Sequence, residues 1–158
     1  MGVNHALAHA FGALWRRAGP RQRVHVAACD CVYNAAVSTK FMPSPYQQGY
    51  VAHKRYATMA DLLGLDGRTV EEKVKNLIAA VEKLLNQLGF PRSIAELGIS
   101  KEEFARAVPE MAKIAFDDPS WRSNPRMPLM GELVELFWKA YEGRGHAKAA
   151  VASQQDTA

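Results

Sequence analysis

Thr69-Val70-Glu71-Glu72-Lys73-Val74-Lys75-Asn76-Leu77-Ile78-Ala79-Ala80-Val81-Glu82-Lys83-Leu84-Leu85-Asn86-Gln87-Leu88-Gly89 is the stretch whose reading decides the fold. Val74, Leu77, Ile78, Val81, Leu84, Leu85 and Leu88 recur at steps of three and four, the period of a helix with one apolar face. Thr69 and Glu72 have capping-box spacing at its start, and Gly89 supplies a stop. The flanking stretches read the same way. Tyr56, Met59, Ala60 and Leu63 fall on one face of a helix near 50–63, ended by Gly64. Ser100, with Glu103 completing a second capping box, opens a helix near 101–115 whose buried face is Phe104, Val108, Met111 and Ile114. Pro109 lies inside it and is expected to kink or split it. A last helix is expected near 129–141, and an N-terminal one over 3–15 with Val3, Leu7, Phe11, Leu14 and Trp15 as its apolar positions. Residues 24–37 are open to helix or strand, because Val24, Val26 and Val32 suit either. Two prolines in Met42-Pro43-Ser44-Pro45 make that stretch a loop. Residues 91–98 read as a connector and 117–128 as irregular. No β-alternation appears, so the fold class is all-α, a helical bundle.

The chain has 158 residues, which suffices for one domain with a real core. Residues 1–142 are expected to form that domain and 143–158, small and polar, a flexible tail. The net charge is +4 and the pI about 9.2, a mild excess concentrated in Arg16, Arg17, Arg21 and Arg23. No nucleic-acid module with interleaved aromatics accompanies those arginines, so nucleic acid is not an expected partner. No apolar run approaches the roughly 18 residues of a membrane span. Cys29 and Cys31 are too close for an ordinary disulfide and no secretion signal is evident, so a reducing cytoplasm is the expected location. Ala6 stands where a myristoylation signal needs Ser or Thr.

Two histidines one helical turn apart, His5 and His9, are the leading chemical candidates. That spacing points two imidazoles at one spot, a common way to build half of a metal site. From spacing alone, two solvated or core histidines on a helix are the more common case. Ala6 stands where the general base of a His-Glu-x-x-His metalloprotease would be, so that chemistry is excluded. His25, Cys29 and Cys31 make a second cluster, but Cys-x-Cys is poor spacing for a zinc knuckle. Asn124-Pro125-Arg126 is rigid and polar. A structural role is favoured there, with Asn closing a turn and Arg126 satisfying helix C-terminal carbonyls. Lys54, Arg55, Glu71 and Glu72 read as a solvated face.

Taken in order, His5-Ala6-Leu7-Ala8-His9-Ala10-Phe11-Gly12, Tyr33-Asn34-Ala35, Lys54-Arg55-Tyr56-Ala57-Thr58-Met59-Ala60, Leu62-Leu63-Gly64-Leu65, Ala115-Phe116-Asp117-Asp118 and Asn124-Pro125-Arg126 carry a resemblance. Over about residues 2–142 the chain resembles the helical C-terminal half of iron-containing (group III) alcohol dehydrogenases, most of all the alcohol dehydrogenase part of bifunctional aldehyde–alcohol dehydrogenases. The resemblance implies alcohol/aldehyde interconversion with NAD(H) at an Fe2+ (or Zn2+) held by one Asp and three His. It implies that His5 is one metal ligand and that His9 faces cofactor and substrate. The Asp and the first His would lie upstream of Met1. The resemblance also implies a nucleotide-binding domain, here a separate polypeptide, with a homo-oligomer as the other expected association.

The last implied ligand is a His in a Pro-His-Gly-Arg-Ala-Asn-Ala stretch, and spacing from His5 puts Gly19 there. Positions 16–31 depart from the pattern while both flanks keep register. Codons for Gly19 to Asp30, read one nucleotide later, permit Gly-Arg-Ala-Asn-Ala-Phe-Met-Leu-Pro-His-Val-Ile, close to the family stretch at every step. A local frameshift accounts for the departure, and it leaves His25, both cysteines and the arginine cluster without evolved function. Segment 16–31 is then expected to pack poorly, looping out or fraying, since it places charge where the family helix is apolar. The expected function is an alcohol dehydrogenase fragment, inactive alone and binding neither metal nor NAD tightly. The alternative is a stand-alone helical binding or assembly module with an exposed apolar face.

Overall fold

The computed structural model describes residues 2–15, 27–36 and 50–143, and these contain helices and no strand. The helices are α1 (Val3–Leu14), α2 (Ala27–Ala35), α3 (Ala52–Leu62), α4 (Val70–Gln87), α5 (Lys101–Asp117) and α6 (Met130–Glu142). Short 3-10 turns stand at Ala95–Leu97 and Pro119–Ser123. The all-α expectation holds, and the open segment 24–37 resolves as helix where it is described. Ala27 to Cys31 belong to α2, which corrects the expectation that all of 16–31 loops out or frays. Residues 16–26 and 144–158 lie outside the described residues, and with them the arginine cluster, His25 and the expected tail.

α4 forms as its sequence dictates. Thr69 Oγ1 accepts the Glu72 N–H at 3.2 Å, and Glu72 Oε2 reaches back to the Thr69 N–H at 3.4 Å and the Arg68 N–H at 2.7 Å. Gly89, at φ +68, turns the chain so that Phe90 N–H meets Leu85 O at 3.0 Å and Gly89 N–H meets Asn86 O at 3.1 Å. These bonds satisfy two of the carbonyls that every helix end leaves over. Gly64, at φ +64, ends α3 by the same pair of bonds, to Ala60 O and Asp61 O.

The main core lies between α1, α5 and α6. Val3, Ala6, Leu7, Ala10 and Phe11 of α1 meet Phe104, Val108, Met111, Ala112 and Ala115 of α5 and Leu133, Leu136, Phe137 and Ala140 of α6. Tyr33 is the contribution of α2, which bridges to the hairpin of α3 and α4. Pro109 does not split α5, which runs unbroken from Lys101 to Asp117. A mid-helix proline costs about 3 kcal/mol. Burying Phe104, Val108 and Met111 returns about 1.5–3 kcal/mol each, which exceeds that cost.

Three further expectations are corrected. Met59 and Leu63 are exposed, at 49% and 64%; Ala52, Ala57 and Ala60 are the residues α3 buries. The small alanines set the buried face of α3, and α3 packs on α4. On α4, Leu84 and Leu88 are likewise exposed, while Val74, Leu77 and Leu85 are buried. The Ser100 cap is one-sided: Ser100 Oγ accepts the Glu103 N–H, but the Glu103 carboxylate accepts the Trp15 indole N–H at 3.3 Å. That bond ties the end of α1 to the start of α5.

Candidate functional site

His5 and His9 lie on α1, one turn apart, with ring centroids 4.1 Å apart and planes at 65°. The expected convergence of two imidazoles is therefore present. His5 is half-buried and His9 exposed. The long chain connection behind them places a third group beside the pair. Asp118, at the end of α5, sets its Oδ2 2.7 Å from His9 Nδ1, and its Oδ1 accepts the Ser120 N–H at 2.7 Å. Pro119, just after Asp118, is pre-set for the first position of the 3-10 turn at 119–123, and this turn packs against α1. Burial pushes the Asp118 carboxyl up, but hydrogen bonds from Ser120 and His9 outweigh it and hold the group below the ordinary carboxylate range.

Asp118 escaped the sequence reading as a site residue because 109 positions separate it from His9. The available signal was local: Asp-Pro-Ser is the start of a turn capped by its own Asp.

The start of α1 is fixed from equally far away. Its first N–H groups have no partner within the helix. Gly2, at the cap, has no side-chain acceptor to offer, and Asn124 Oδ1 takes the Val3 N–H at 3.2 Å instead. Asn124 also pairs reciprocally with Asn34, donating to Asn34 Oδ1 at 2.6 Å and accepting from Asn34 Nδ2 at 3.2 Å. Its second amide hydrogen goes to Arg126 O at 2.6 Å. Both asparagines are 2% exposed. A Cβ on Gly2 would come within 2.8 Å of Asn124 Oδ1, so the missing side chain is what admits the amide.

Arg126 does what its position suggested. Its Nη1 donates to Tyr33 O at 3.1 Å and Ala36 O at 3.4 Å, closing the C-terminus of α2. Its guanidinium lies 4.2 Å over the Tyr33 ring and pairs with Glu132 at 2.9 Å. Glu132 also accepts the Tyr33 hydroxyl at 3.0 Å and the Leu129 N–H at 2.7 Å, which starts α6. Tyr50 donates its hydroxyl to Asn34 O. Burial, followed by the Glu132 charge, pushes the Tyr33 phenol far above its ordinary value. The Asn-Pro-Arg stretch is thus the joint that holds α1, α2 and α6 in place behind the histidines.

The described residues contain no group of three His, Cys, Asp or Glu side chains that could hold a metal ion. His5 is one candidate donor, and His9 has its Nδ1 engaged with Asp118. The implied iron therefore does not find a complete site in these residues, and no chemical step is derived through it. Cys31 is half-buried on α2, while His25 and the Cys29 side chain lie outside the described residues. Lys54, Arg55, Glu71 and Glu72 are exposed, as a solvated face requires. No described helix is long and apolar enough to cross a membrane.

Comparison with known proteins agrees with this architecture. The bifunctional aldehyde-alcohol dehydrogenase of Escherichia coli is 32% identical over 164 residues, covering 100% of this chain and 18% of its own length. The NADPH-dependent butanol dehydrogenase of Clostridium saccharobutylicum is 29% identical, over 90% of this chain and 33% of its own length. The chain thus spans a fifth to a third of these relatives. The iron-containing alcohol dehydrogenase of Thermococcus thioreducens superposes with a TM-score of 0.72 at 30% identity, over 91% of this chain and 32% of that structure. The family model for the C-terminal part of Fe-containing alcohol dehydrogenases matches residues 1–141. The chain, with its paired histidines on α1 and its asparagine joint behind them, belongs to the Fe-containing alcohol dehydrogenase family, of which it carries the C-terminal part.

Proposed function

We propose that this chain serves alcohol/aldehyde interconversion with NAD(H) as the helical part of an iron-type alcohol dehydrogenase, with His5 as a metal donor and His9 facing cofactor and substrate. The observation that carries this reading is the contact of the two rings on one face of α1, with centroids 4.1 Å apart, in a chain of this family. In the intact family the metal would supply Lewis-acid chemistry and the nicotinamide redox chemistry, with His5 as this chain's contribution to holding the metal. The described residues supply one such donor and the sequence has no Gly-rich phosphate loop, so by itself the chain is not an active enzyme. A nucleotide-binding domain is the partner it needs. Reading the codons of Gly19 to Asp30 one nucleotide later would return the Gly-Arg-Ala-Asn-Ala stretch that follows the last ligand histidine in the family.

The purified chain, given NAD, a primary alcohol and Fe2+ or Zn2+, is expected to show no NAD reduction. With an upstream domain and the restored frame, turnover and metal binding should both return. His5→Ala should then abolish metal binding, whereas His9→Ala should retain the metal and lose turnover. Turnover by the unmodified chain that disappears on His5→Ala would overturn the reading.

A further inference from the structure

The carboxylate of Asp118 is shared between Ser120 and His9. Oδ1 is taken by the Ser120 N–H, a backbone group that has no freedom to do anything but donate. Oδ2 lies 2.7 Å from His9 Nδ1. An ionised carboxylate only accepts, so a neutral His9 meeting it must carry its proton on Nδ1 and leave Nε2 with a lone pair. The Asp118 side chain is 12% exposed, and the Pro119–Ser123 turn that begins beside it packs on α1, so the acceptor is fixed in place. The His9 side chain is 48% exposed, and among the described residues no hydrogen bond occupies its Nε2.

We propose that Asp118 is a positioning residue for His9: it holds the ring in the Nδ1–H tautomer and keeps Nε2 as an acceptor at the open edge of the site. The inference rests on the reading of His9 as the residue facing cofactor and substrate, but its test does not. An imidazole in this state accepts from a hydroxyl group and cannot donate to one, and the opposite tautomer would reverse that role.

The Ser120 N–H makes the substitution Asp118→Asn unusually informative. That N–H keeps hold of an oxygen, so the new amide must turn its NH2 toward His9 Nδ1. Nδ1 then has to accept, and the proton moves to Nε2. Asp118→Ala removes the partner altogether and returns the ring to the mixture of a free imidazole.

The experiment is nitrogen-15 NMR of the histidine rings in the 158-residue chain, with His9 assigned by comparison with His9→Gln. Spectra are taken in alkaline solution, and the tautomer is read from the two ring-nitrogen shifts. The unsubstituted chain is expected to show the Nδ1–H pattern, Asp118→Asn the Nε2–H pattern and Asp118→Ala the mixture. Far-UV circular dichroism checks that each variant is folded. A purely structural role in capping the 119–123 turn would leave the tautomer unmoved in Asp118→Asn, since asparagine caps as well as aspartate. An Nε2–H pattern in the unsubstituted chain, or an unchanged pattern in Asp118→Asn, overturns the proposal. Turnover retained by His9→Ala in the frame-restored enzyme would instead remove the role given to His9 and leave the tautomer assignment standing.

Discussion

Replacing Asn124 by alanine should destabilise the domain more than its surface position in the sequence suggests. The side chain makes four hydrogen bonds in a site that is 2% exposed. Truncation takes the acceptor from the Val3 N–H and both Asn34 contacts at once. Each buried polar group that loses its partner costs about 1–3 kcal/mol, and a water entering the vacated volume recovers part of that. The expected loss is roughly 2–5 kcal/mol, against a total stability of about 5–15 kcal/mol for a domain. Urea unfolding followed by circular dichroism should show the midpoint falling by about 1–2.5 M, taking a slope of ~2 kcal/mol/M. Asn34→Ala should cost a comparable amount. The double variant should cost clearly less than the sum, because each single change orphans the other's amide. Asn124→Asp should not rescue, since its second oxygen would face Asn34 Oδ1 and Arg126 O, both 2.6 Å from the donor it replaces. A loss below about 1 kcal/mol for Asn124→Ala, or strict additivity in the double variant, would refute the account of this amide pair.

Thr69→Ala removes one half of the α4 capping box and should cost about 1 kcal/mol, read as a thermal midpoint lowered by a few degrees. Tyr33 has its folded-state pKa raised, so the stability it contributes is full below the ordinary tyrosine value of 10.0 and is lost as pH rises past it. Burial raises Tyr50 as well, so spectrophotometric titration should show late-ionising tyrosine in alkali, and Tyr33→Phe should reduce that class by one, leaving Tyr50.

Much of the architecture was legible because each helix states its limits locally. Thr69, Gly64 and Gly89 act within one turn of themselves, and the period of Val74, Leu77 and Leu85 needs no partner to be seen. What periodicity does not carry is which side of a stripe meets a neighbour. Met59 and Ala60 are adjacent candidates on α3, and only the packing against α4 decides that the alanine goes inside. Pro109 leaves α5 unsplit for a related reason: its cost is local, whereas the burial that outweighs it is shared with α1 and α6. Glu103 has two possible donors, and the remote one, Trp15, takes its carboxylate. The same holds at the candidate site. His5 and His9 announce themselves by spacing, and Arg126 by its place after a turn. Asp118 becomes visible only when the end of α5 is folded back onto α1.

The amide that caps α1 stands 121 residues further along the chain than the N–H it serves. A ribosome adds about 5–20 residues per second, so roughly 6–24 s of synthesis separate Val3 from Asn124. Throughout that interval the helix carrying both histidines lacks its cap, and for most of it the α5 face it packs on. Formation of α1 in its native place is therefore a late event, and its contact with the rest of the domain is of the long-range kind that slows folding. The α3–α4 hairpin, whose capping bonds all lie within 50–90, can form long before it.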